Sequence, residues 1–251
     1  MKKFFNRLGF GVDLEDAPQL VETTSHDMNG AELSVAYFSG RSGGDFYEFV
    51  RVAPHRLLFG LLDIAGKRDD SRPIITAAQS TFRSAGGELL SQHELNEAEA
   101  MVELSRRMNL EIMRAAGGVH SCPAFAGCYN EELGTVCYVN AGHTPGLLCD
   151  HNSVEELPAT GLPLGLFSLA PTDARIVGLG PDSRLSVVSR GVVEAQCQKE
   201  EFGLDGVKQV MNTRPASASD LSRGILEQVQ SFMCAYPKHN DVTALTLRRA
   251  N

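Results

Sequence analysis

Two aspartates occupy positions where a carboxylate needs a partner. Asp45 follows a pair of glycines, and Asp63 lies near the end of the apolar run 56–64, which has the length of a strand. An acid at the end of a buried strand is unfavourable without a partner. Hard divalent cations bind carboxylates and backbone carbonyls, so two such acids from neighbouring strands could share a metal ion. Acids at strand ends are also common as turn and cap residues, and the two aspartates alone leave that alternative open.

Two further segments contain residue types that occur in active sites. Residues 138–145 read YVNAGHTP, a strand that enters a tight turn and is followed by a proline. His143 could be catalytic, but a turn histidine that holds backbone carbonyls is the interpretation we favour. Residues 40–44, GRSGG, fit the GxSxG pattern of serine hydrolases literally. A nucleophile elbow lies between a strand and a helix, whereas this segment lies between two β-rich runs, so we interpret it as a glycine-rich turn.

Strands and helices must position these residues. Strand-like patterns are predicted at 31–38, 45–52, 56–64, 124–129, 135–140, 146–149, 174–179, 184–189 and 242–247. Helices are predicted over 71–84, 93–115 and 219–235, and the glycines at 117–118 end the second one. The methionine stripe of that helix indicates core packing rather than a cofactor site. The order of strands, two helices, strands, helix and strand indicates a β-sandwich flanked by helices.

Composition and charge argue against several classes of protein. The chain has 23 basic and 31 acidic residues and a formal charge of −8, which argues against a nucleic-acid partner. No apolar run approaches the length of a membrane span, and the first residues do not resemble a signal peptide. We therefore expect no membrane association and a cytoplasmic location. The six cysteines form no CxxC pair, which argues against a zinc site, and we expect them to be reduced, buried thiols.

Seven short segments resemble, in order, motifs of the SpoIIE/RsbU branch of PPM-type (type 2C-like) serine/threonine phosphatases. They are GGDFYEF (43–49), which resembles GGDFYDF; DIAG (63–66), similar to the start of DVSGHG; YVNAGHTP (138–145), similar to YVNAGHNP; TGLPLG (160–165), similar to a G-x-PLG turn; SRGVVEA (189–195), similar to TDGVTEA; EFG (201–203), similar to an FG element; and HNDVT (239–243), similar to HDDVT. Any one match is modest evidence, but seven in family order are strong evidence.

The resemblance implies an α+β fold, a four-layer αββα sandwich of two antiparallel sheets flanked by helices. We expect residues 31–251 to form one such domain and residues 1–30 to be an N-terminal segment that packs on it. The resemblance also implies two metal ions, manganese or magnesium, that activate water to attack a phosphoserine or phosphothreonine. The partners it implies are phosphoproteins of the STAS type, the anti-sigma-factor antagonists of bacterial partner switching.

Some of the family's metal ligands are replaced in this chain. Asp45, Asp63 and the carbonyl of Ile64 remain as ligand candidates, but the aspartate of TDG is Arg190 and the first aspartate of DDVT is Asn240. Arginine is always protonated and cannot bind a metal, while Asn240 offers an oxygen without charge. We therefore hypothesise that the guanidinium of Arg190 pairs with Asp63 or Asp45 and replaces one metal. The domain would then hold manganese or magnesium only if it is active.

Two functions remain open at this point. The first is a degenerate phosphatase domain, weakly active or inactive, that acts as a binding or regulatory module. The second is an active phosphatase that uses one metal or a shifted pair, with Asp241 or Asp182 supplying the missing carboxylate. Because Asp241 neighbours Asn240 on a predicted strand, we expect it to face away from the site. Since ligand charge controls metal affinity, the sequence predicts the loss of most hydrolysis.

Overall fold

The structure, a computed structural model, describes residues 21–28, 30–38, 44–64, 68–150, 153–233 and 241–250, with the backbone alone for residues 21–28 and 68–70. Its strands are β1 (Val21–Met28), β2 (Ala31–Phe38), β3 (Asp45–Ala53), β4 (Arg56–Asp63), β5 (Ala124–Asn130), β6 (Thr135–Ala141), β7 (Gly146–Cys149), β8 (Val154–Leu157), β9 (Arg175–Gly178), β10 (Arg184–Val188), β11 (Gln196–Cys197), β12 (Glu200–Glu201) and β13 (Val242–Arg249). Its helices are α1 (Arg68–Leu90), α2 (Glu97–Ala116), α3 (Arg190–Val193), α4 (Gly203–Asn212) and α5 (Ala218–Phe232).

Two antiparallel sheets form the centre of the molecule. One has six strands in the order β1-β2-β13-β10-β7-β8, and the other has five in the order β3-β4-β5-β6-β9. A separate hairpin joins β11 and β12. The two large sheets pack face to face around fully buried side chains, which include Leu57, Phe125, Leu185 and Leu245. Burial of this apolar surface is the main driving force that holds the sheets together.

Helices cover the outer faces of both sheets. α1 and α2 pack on each other and on the five-stranded sheet, around a core that includes Phe82 and Leu104. α5 packs on β2 and β13 of the six-stranded sheet, with α4 beside it. The predicted four-layer αββα sandwich is therefore confirmed. No helix in the described ranges is long and apolar enough to cross a membrane.

α2 shows how the sequence defines a helix. Asn96 is the N-cap residue, and its side chain accepts a hydrogen bond of 3.3 Å from the amide of Glu99. The helix ends at Gly117, whose φ of 64° is the left-handed conformation that glycine adopts readily. Between these ends, a stripe that includes Met101 and Met108 is buried in the core. The methionines therefore pack in the core, as predicted.

Six elements lie outside the predicted strands and helices: β1, β8, β11, β12, α3 and α4. β1 has the polar sequence VETTSHDM and pairs with β2, while β8 is a four-residue edge strand. α4 contains two glycines, which lower helix propensity, but Val207, Val210 and Met211 bury one of its faces. Tertiary packing therefore stabilises a helix that local propensity does not predict. β1 lies within the predicted N-terminal segment, and the domain boundary at residue 31 stays a prediction.

α1 is longer than the helix predicted over 71–84, because it continues through two glycines to Leu90. A Cβ atom at Gly86 would come within 2.4 Å of Leu58 Cδ2 in β4. The glycine therefore allows the helix to pack closely on the sheet, and this contact compensates for its low helix propensity.

The cysteine prediction is wrong for one residue. The buried free thiols in the described part of the chain are Cys122, Cys128, Cys137 and Cys149. Cys197 is disulfide-bonded instead. It lies in the two-residue strand β11, which is partly exposed, rather than in a core strand. Cys234 lies outside the described residues.

Candidate active site

Asp45 and Asp63 face each other across neighbouring strands. Asp45 is the first residue of β3, Asp63 is the last residue of β4, and the two are direct partners in the antiparallel register. Side chains of directly opposite residues lie on the same face of a sheet with Cβ atoms about 5 Å apart. Like charges in this arrangement repel each other. The pair therefore requires a proton, a cation or hydrogen-bond donors.

Donors and acceptors from the other sheet hold Asp45. The hydroxyl of Thr243 in β13 donates to Asp45 Oδ2 at 2.6 Å. The backbone amide of Asp45 donates to Oδ2 of Asp241 at 3.3 Å, and Asp241 is buried. Because β3 and β13 belong to different sheets, the site lies where the ends of the two sheets meet.

Both carboxyl groups are shifted towards the neutral form. Burial raises the pKa of Asp45 to about 8, and the carboxylates of Asp63 and Asp241 add to the rise while the hydrogen bond from Thr243 opposes it. Burial also raises the pKa of Asp63, and the positive charge of Arg190 opposes that rise. Asp45 therefore carries a proton at neutral pH in the metal-free protein. A protonated carboxyl group lacks the negative charge that hard cations prefer.

Arg190 lies beside the acid pair. It is the first residue of α3, and its Nε lies 3.4 Å from Asp63 Oδ2 and 3.7 Å from Glu194 Oε2. The Arg190 side chain is 48% exposed, whereas that of Asp63 is 14% exposed. The guanidinium therefore covers the solvent side of the acid pair and partly neutralises Asp63. The sequence hypothesis of a pairing with Asp63 or Asp45 agrees with this geometry.

The turn after β6 contacts the end of β10. The hydroxyl of Thr144 donates to the carbonyl of Val188, two residues before Arg190. The amide of His143 donates to Oδ1 of Asn140 at 2.8 Å. His143 Nδ1 lies 3.1 Å from the carbonyl oxygen of Thr144, and burial lowers the pKa of His143 to about 4. The neutral, buried ring agrees with a turn histidine that contacts a backbone carbonyl, not with a catalytic base.

Two hydroxyl residues complete the site, and sequence reasoning does not single them out. Ser189 Oγ donates to the carbonyl of Asp241 at 3.3 Å and accepts from the amide of Thr243 at 3.0 Å. Ser189 and Thr243 are both fully buried. They join the end of β10 to the start of β13. Their positions inside the motif segments 189–195 and 239–243 are the signal that could have indicated them.

Asp241 faces the site, so the expectation that it faces away is wrong. β13 begins at Val242, and Asp241 precedes the strand. The alternation of side chains along a strand therefore does not fix its direction. Its carboxylate accepts the hydrogen bond from the amide of Asp45 described above. Asn240, its neighbour in the motif, lies outside the described residues.

The other candidates have different surroundings. Asp182 forms ion pairs with Arg184 and Arg248 at the far end of β10, so it does not supply a carboxylate to the site. The side chain of Ile64 is buried in the core beneath the helices. A Cβ atom at Gly44 would approach the Ile64 carbonyl oxygen to 3.0 Å, so a glycine lets the two segments pass closely. The role of this carbonyl as a metal ligand stays a prediction.

The described side chains do not fit a two-metal centre. Among the described residues, no group of three or more His, Cys, Asp or Glu side chains is arranged to hold a metal ion. Burial raises the pKa of both acids of the pair, and Asp63 also lies beside a guanidinium. Hydrogen bonds and the positive charge of Arg190 instead stabilise the acids in the absence of a cation.

The αββα sandwich with opposed aspartates at one end of its sheets defines a PPM-type phosphatase fold. Residues 53–250 match the family model for stage II sporulation protein E (SpoIIE). The chain is 26% identical over 210 residues to the phosphoserine phosphatase RsbP of Bacillus subtilis strain 168, across 82% of this chain and 49% of that protein. It thus spans about half the length of that curated relative.

Solved structures show the same fold. The RsbU and RsbW domains of Rv1364c from Mycobacterium tuberculosis match with a TM-score of 0.68 and 20% identity, over 88% of this chain and 62% of that one. The PP2C phosphatase domain of SpoIIE from Bacillus subtilis, with a fragment of its regulatory domain, matches with a TM-score of 0.68 and 14% identity, over 93% and 70%. The chain belongs to the SpoIIE family, as a phosphatase domain of the SpoIIE/RsbU branch.

Proposed function

We propose that this SpoIIE-family domain has lost most or all of its hydrolytic activity and acts as a binding module in partner switching. The observation that carries the proposal is the guanidinium of Arg190 beside Asp63, at the position where the family motif has an aspartate. Arginine has no lone pair to offer a metal, and its positive charge repels a divalent cation. At this position the site therefore has a guanidinium that competes with the cation, where the family motif has an aspartate.

Charge at the site supports the same conclusion. Phosphatases of this class use manganese or magnesium, and divalent affinity depends on ligand charge. Compared with the family motifs, Arg190 and Asn240 remove two negative charges and add one positive charge. Asp45 also lacks its charge at neutral pH, because burial raises its pKa to about 8. A cation would have to displace the proton of Asp45 and the guanidinium of Arg190 before it could bind.

The partner that we propose is a phosphoprotein of the STAS type, an antagonist of an anti-sigma factor. Membership of the SpoIIE family and the similarity to the phosphoserine phosphatase RsbP support this class of partner. An inactive domain would bind such a partner without removing its phosphate. A nucleic-acid partner is not proposed, because the formal charge is −8.

One observation favours a second function, an active phosphatase with one metal or a shifted pair. Asp241 lies in the site, and its carboxylate raises the pKa values of both Asp45 and Asp63. Three aspartates thus lie within electrostatic reach of one another. If Arg190 moves into solvent, these three carboxylates could supply ligands, with Asp45 and Asp63 as the catalytic pair.

Phosphate release from a phosphoserine peptide at saturating manganese distinguishes the two functions. The wild type is compared with the double variant Arg190→Asp/Asn240→Asp. Arg223→Asp is the control, because it makes a similar change of charge at an arginine of α5 that pairs with Asp220. We expect turnover from the double variant only. Turnover by the wild type above the enzyme-free background would refute the loss of hydrolysis.

Manganese binding gives a second readout that does not depend on turnover. Isothermal titration should show that the double variant binds manganese at least about 100-fold more tightly than the wild type, since the two substitutions change the site charge by three units. Arg223→Asp should bind like the wild type. Equal affinities in all three proteins would contradict the role assigned to Arg190.

A further inference from the structure

Two buried polar side chains lie one turn apart on α2. Ser105 and Asn109 are four residues apart, so both project from the same face of the helix. Ser105 is 8% exposed and Asn109 is 5% exposed, although the other buried residues of this helix are apolar. Buried polar groups in native proteins nearly always have hydrogen-bond partners. The partners of these two side chains therefore indicate what this face of the helix does.

Asn109 holds the loop between β8 and β9 on α2. Its Nδ2 donates to the carbonyl of Phe167 at 2.9 Å, and its Oδ1 accepts from the amide of Gly165 at 2.7 Å. Both ends of the amide group are therefore engaged. The same loop is paired with the segment before β5, because Leu164 and Cys122 exchange two backbone hydrogen bonds with N···O distances of 3.0 and 2.8 Å. The position of the loop over α2 is thus fixed on two sides.

Ser105 differs from Asn109, because its hydroxyl group has no partner. In α1 the hydroxyl groups of Thr76 and Ser84 donate to the carbonyl oxygens four residues before them, at 3.0 and 2.8 Å. The hydroxyl group of Ser105 makes no such bond, nor any other hydrogen bond with the residues that the structure describes. A buried hydroxyl group without a partner is unfavourable. A molecule that hydrogen-bonds to Ser105 would remove this penalty.

The side chain of Ser105 lines a cavity between α2 and the loop. The cavity has a volume of about 390 Å³, which lies within the range of pockets that hold small organic molecules. One wall consists of α2 residues and the other of loop residues: Val102, Ser105, Arg106 and Asn109 on the helix, and Leu164 and residues 168–172 on the loop. Because both walls are fixed by hydrogen bonds, the cavity is formed before a ligand binds.

The lining of the cavity selects for a neutral, apolar molecule. Arg106 is the charged residue among those that line it, and its Nε and Nη2 already donate to the carboxylate of Glu103 at 2.6 and 2.8 Å. The charge of the guanidinium is therefore compensated within the helix. Val102, Leu164 and the Leu-Ala-Pro segment 169–171 supply apolar walls. Pockets with apolar walls and a few polar groups bind mainly apolar molecules and orient them through those groups.

We propose that this cavity binds a neutral, mainly apolar small molecule, which is oriented by one hydrogen bond to the hydroxyl group of Ser105. A serine hydroxyl group can donate or accept, so the polar group of the ligand can be an acceptor or a donor. The residues that line the cavity do not include the acids of the candidate active site. The proposal is therefore independent of whether the domain retains any hydrolysis.

Titration with indole, followed by amide NMR of the full chain, tests the proposal. Indole has two apolar rings and a single N–H group, which can donate to Ser105 Oγ. We expect saturable shifts of the amides of Ser105 and Leu164, with a dissociation constant of about 1 mM or lower. Indene has the same shape without the N–H group and should bind more weakly. An absence of saturable shifts with indole, or shifts confined to residues away from α2 and the loop, would overturn the proposal.

Variants at Ser105 separate the hydrogen bond from the space in the cavity. Ser105→Ala removes the hydroxyl group and should weaken indole binding about 5-fold, while the affinity for indene stays the same. Ser105→Phe fills the cavity and should abolish the binding of both probes. Ser84→Ala is the matched control, since it removes a serine hydroxyl group from α1 outside the cavity, and it should bind like the wild type.

Urea denaturation shows whether each variant is folded. Should Ser105→Phe fail to fold, Ser105→Ala still decides, because it removes one atom and leaves the walls of the cavity in place. If Ser105→Ala binds indole as tightly as the wild type does, the assigned hydrogen bond is wrong. If a folded Ser105→Phe still binds indole with the wild-type affinity, the probe lies elsewhere and the proposed site is refuted.

Discussion

Replacing Asp45 by asparagine should stabilise the metal-free protein at neutral pH. Asp45 lies opposite Asp63 and accepts a hydrogen bond from Thr243. Asparagine keeps an oxygen for that bond and adds an amide group that can donate towards Asp63. It also removes a carboxyl group whose charged form is disfavoured by burial. The variant should therefore fold with the same contacts and without the electrostatic penalty.

The magnitude follows from the raised pKa of Asp45. Its pKa rises from 3.8 in the unfolded chain to about 8 in the folded protein. The folded state therefore holds a proton that the unfolded state releases between these two values. This contribution to stability is fully present below the unfolded pKa and is lost as the pH rises through the folded pKa. Over that window the free energy of unfolding should fall by about 1.4 kcal/mol for each pH unit. At pH 7 the upper limit of the stabilisation by asparagine is about 4 kcal/mol, and relaxation around the site should reduce it to about 2 kcal/mol.

Urea denaturation in the presence of EDTA measures this effect across the pH window. The wild type should lose stability with rising pH more steeply than Asp45→Asn, and the two curves should converge towards acid pH. Asp205→Asn is the control, since this carboxyl group is 92% exposed on α4; its curve should run parallel to that of the wild type. If Asp45→Asn is less stable than the wild type at pH 7, or if its free energy of unfolding has the same dependence on pH, the raised pKa assigned to Asp45 is wrong.

Three further substitutions probe the surroundings of the site. Gly142→Ala should lower stability by about 2 to 3 kcal/mol, measured by urea denaturation, because the residue has a φ of 66° and a Cβ would lie 2.5 Å from the ring of Pro163. Asn109→Ala should lower the free energy of unfolding by about 2 kcal/mol, since it removes the partners of the part-buried carbonyl of Phe167 and the buried amide of Gly165; hydrogen exchange of the loop between β8 and β9 should accelerate. Arg56→Met should lower the urea midpoint by an amount equivalent to about 2 kcal/mol or more, because the enclosed carboxylate of Glu97 loses its guanidinium.

The sheets could be predicted from the sequence because their strands carry local signals. The runs at 31–38 and 146–149 correspond to β2 and β7 residue for residue, since apolar patterning and turn residues mark both of their ends. Elements such as α4 could not be predicted in this way. Its two glycines lower the helix propensity of the segment, and burial against the rest of the domain stabilises the helix.

The site residues also differ in whether local sequence or long-range packing determines their positions. Asp45 and Asp63 could be identified because each lies at the end of its own strand. Their direct opposition depends on the register of β3 and β4, which the sequence does not give. The direction predicted for Asp241 is wrong because side chains alternate only inside a strand, and β13 begins one residue later. The role of Ser189 depends on the meeting of β10 and β13, which are 54 residues apart along the chain (Val188 to Val242).

The hydrogen bonds at the site give the acid cluster a structural role that needs no cation. Thr243 in β13 holds the side chain of Asp45 in the other sheet, and Asp241, directly before β13, holds its amide. Ser189 fixes both Asp241 and Thr243 in turn. None of these contacts involves Arg190, which lies on the solvent side. On the proposed function, the chain could therefore exchange a metal ligand for arginine without losing the junction between its sheets. The same independence explains why a double substitution at 190 and 240 is expected to restore chemistry without rebuilding the fold.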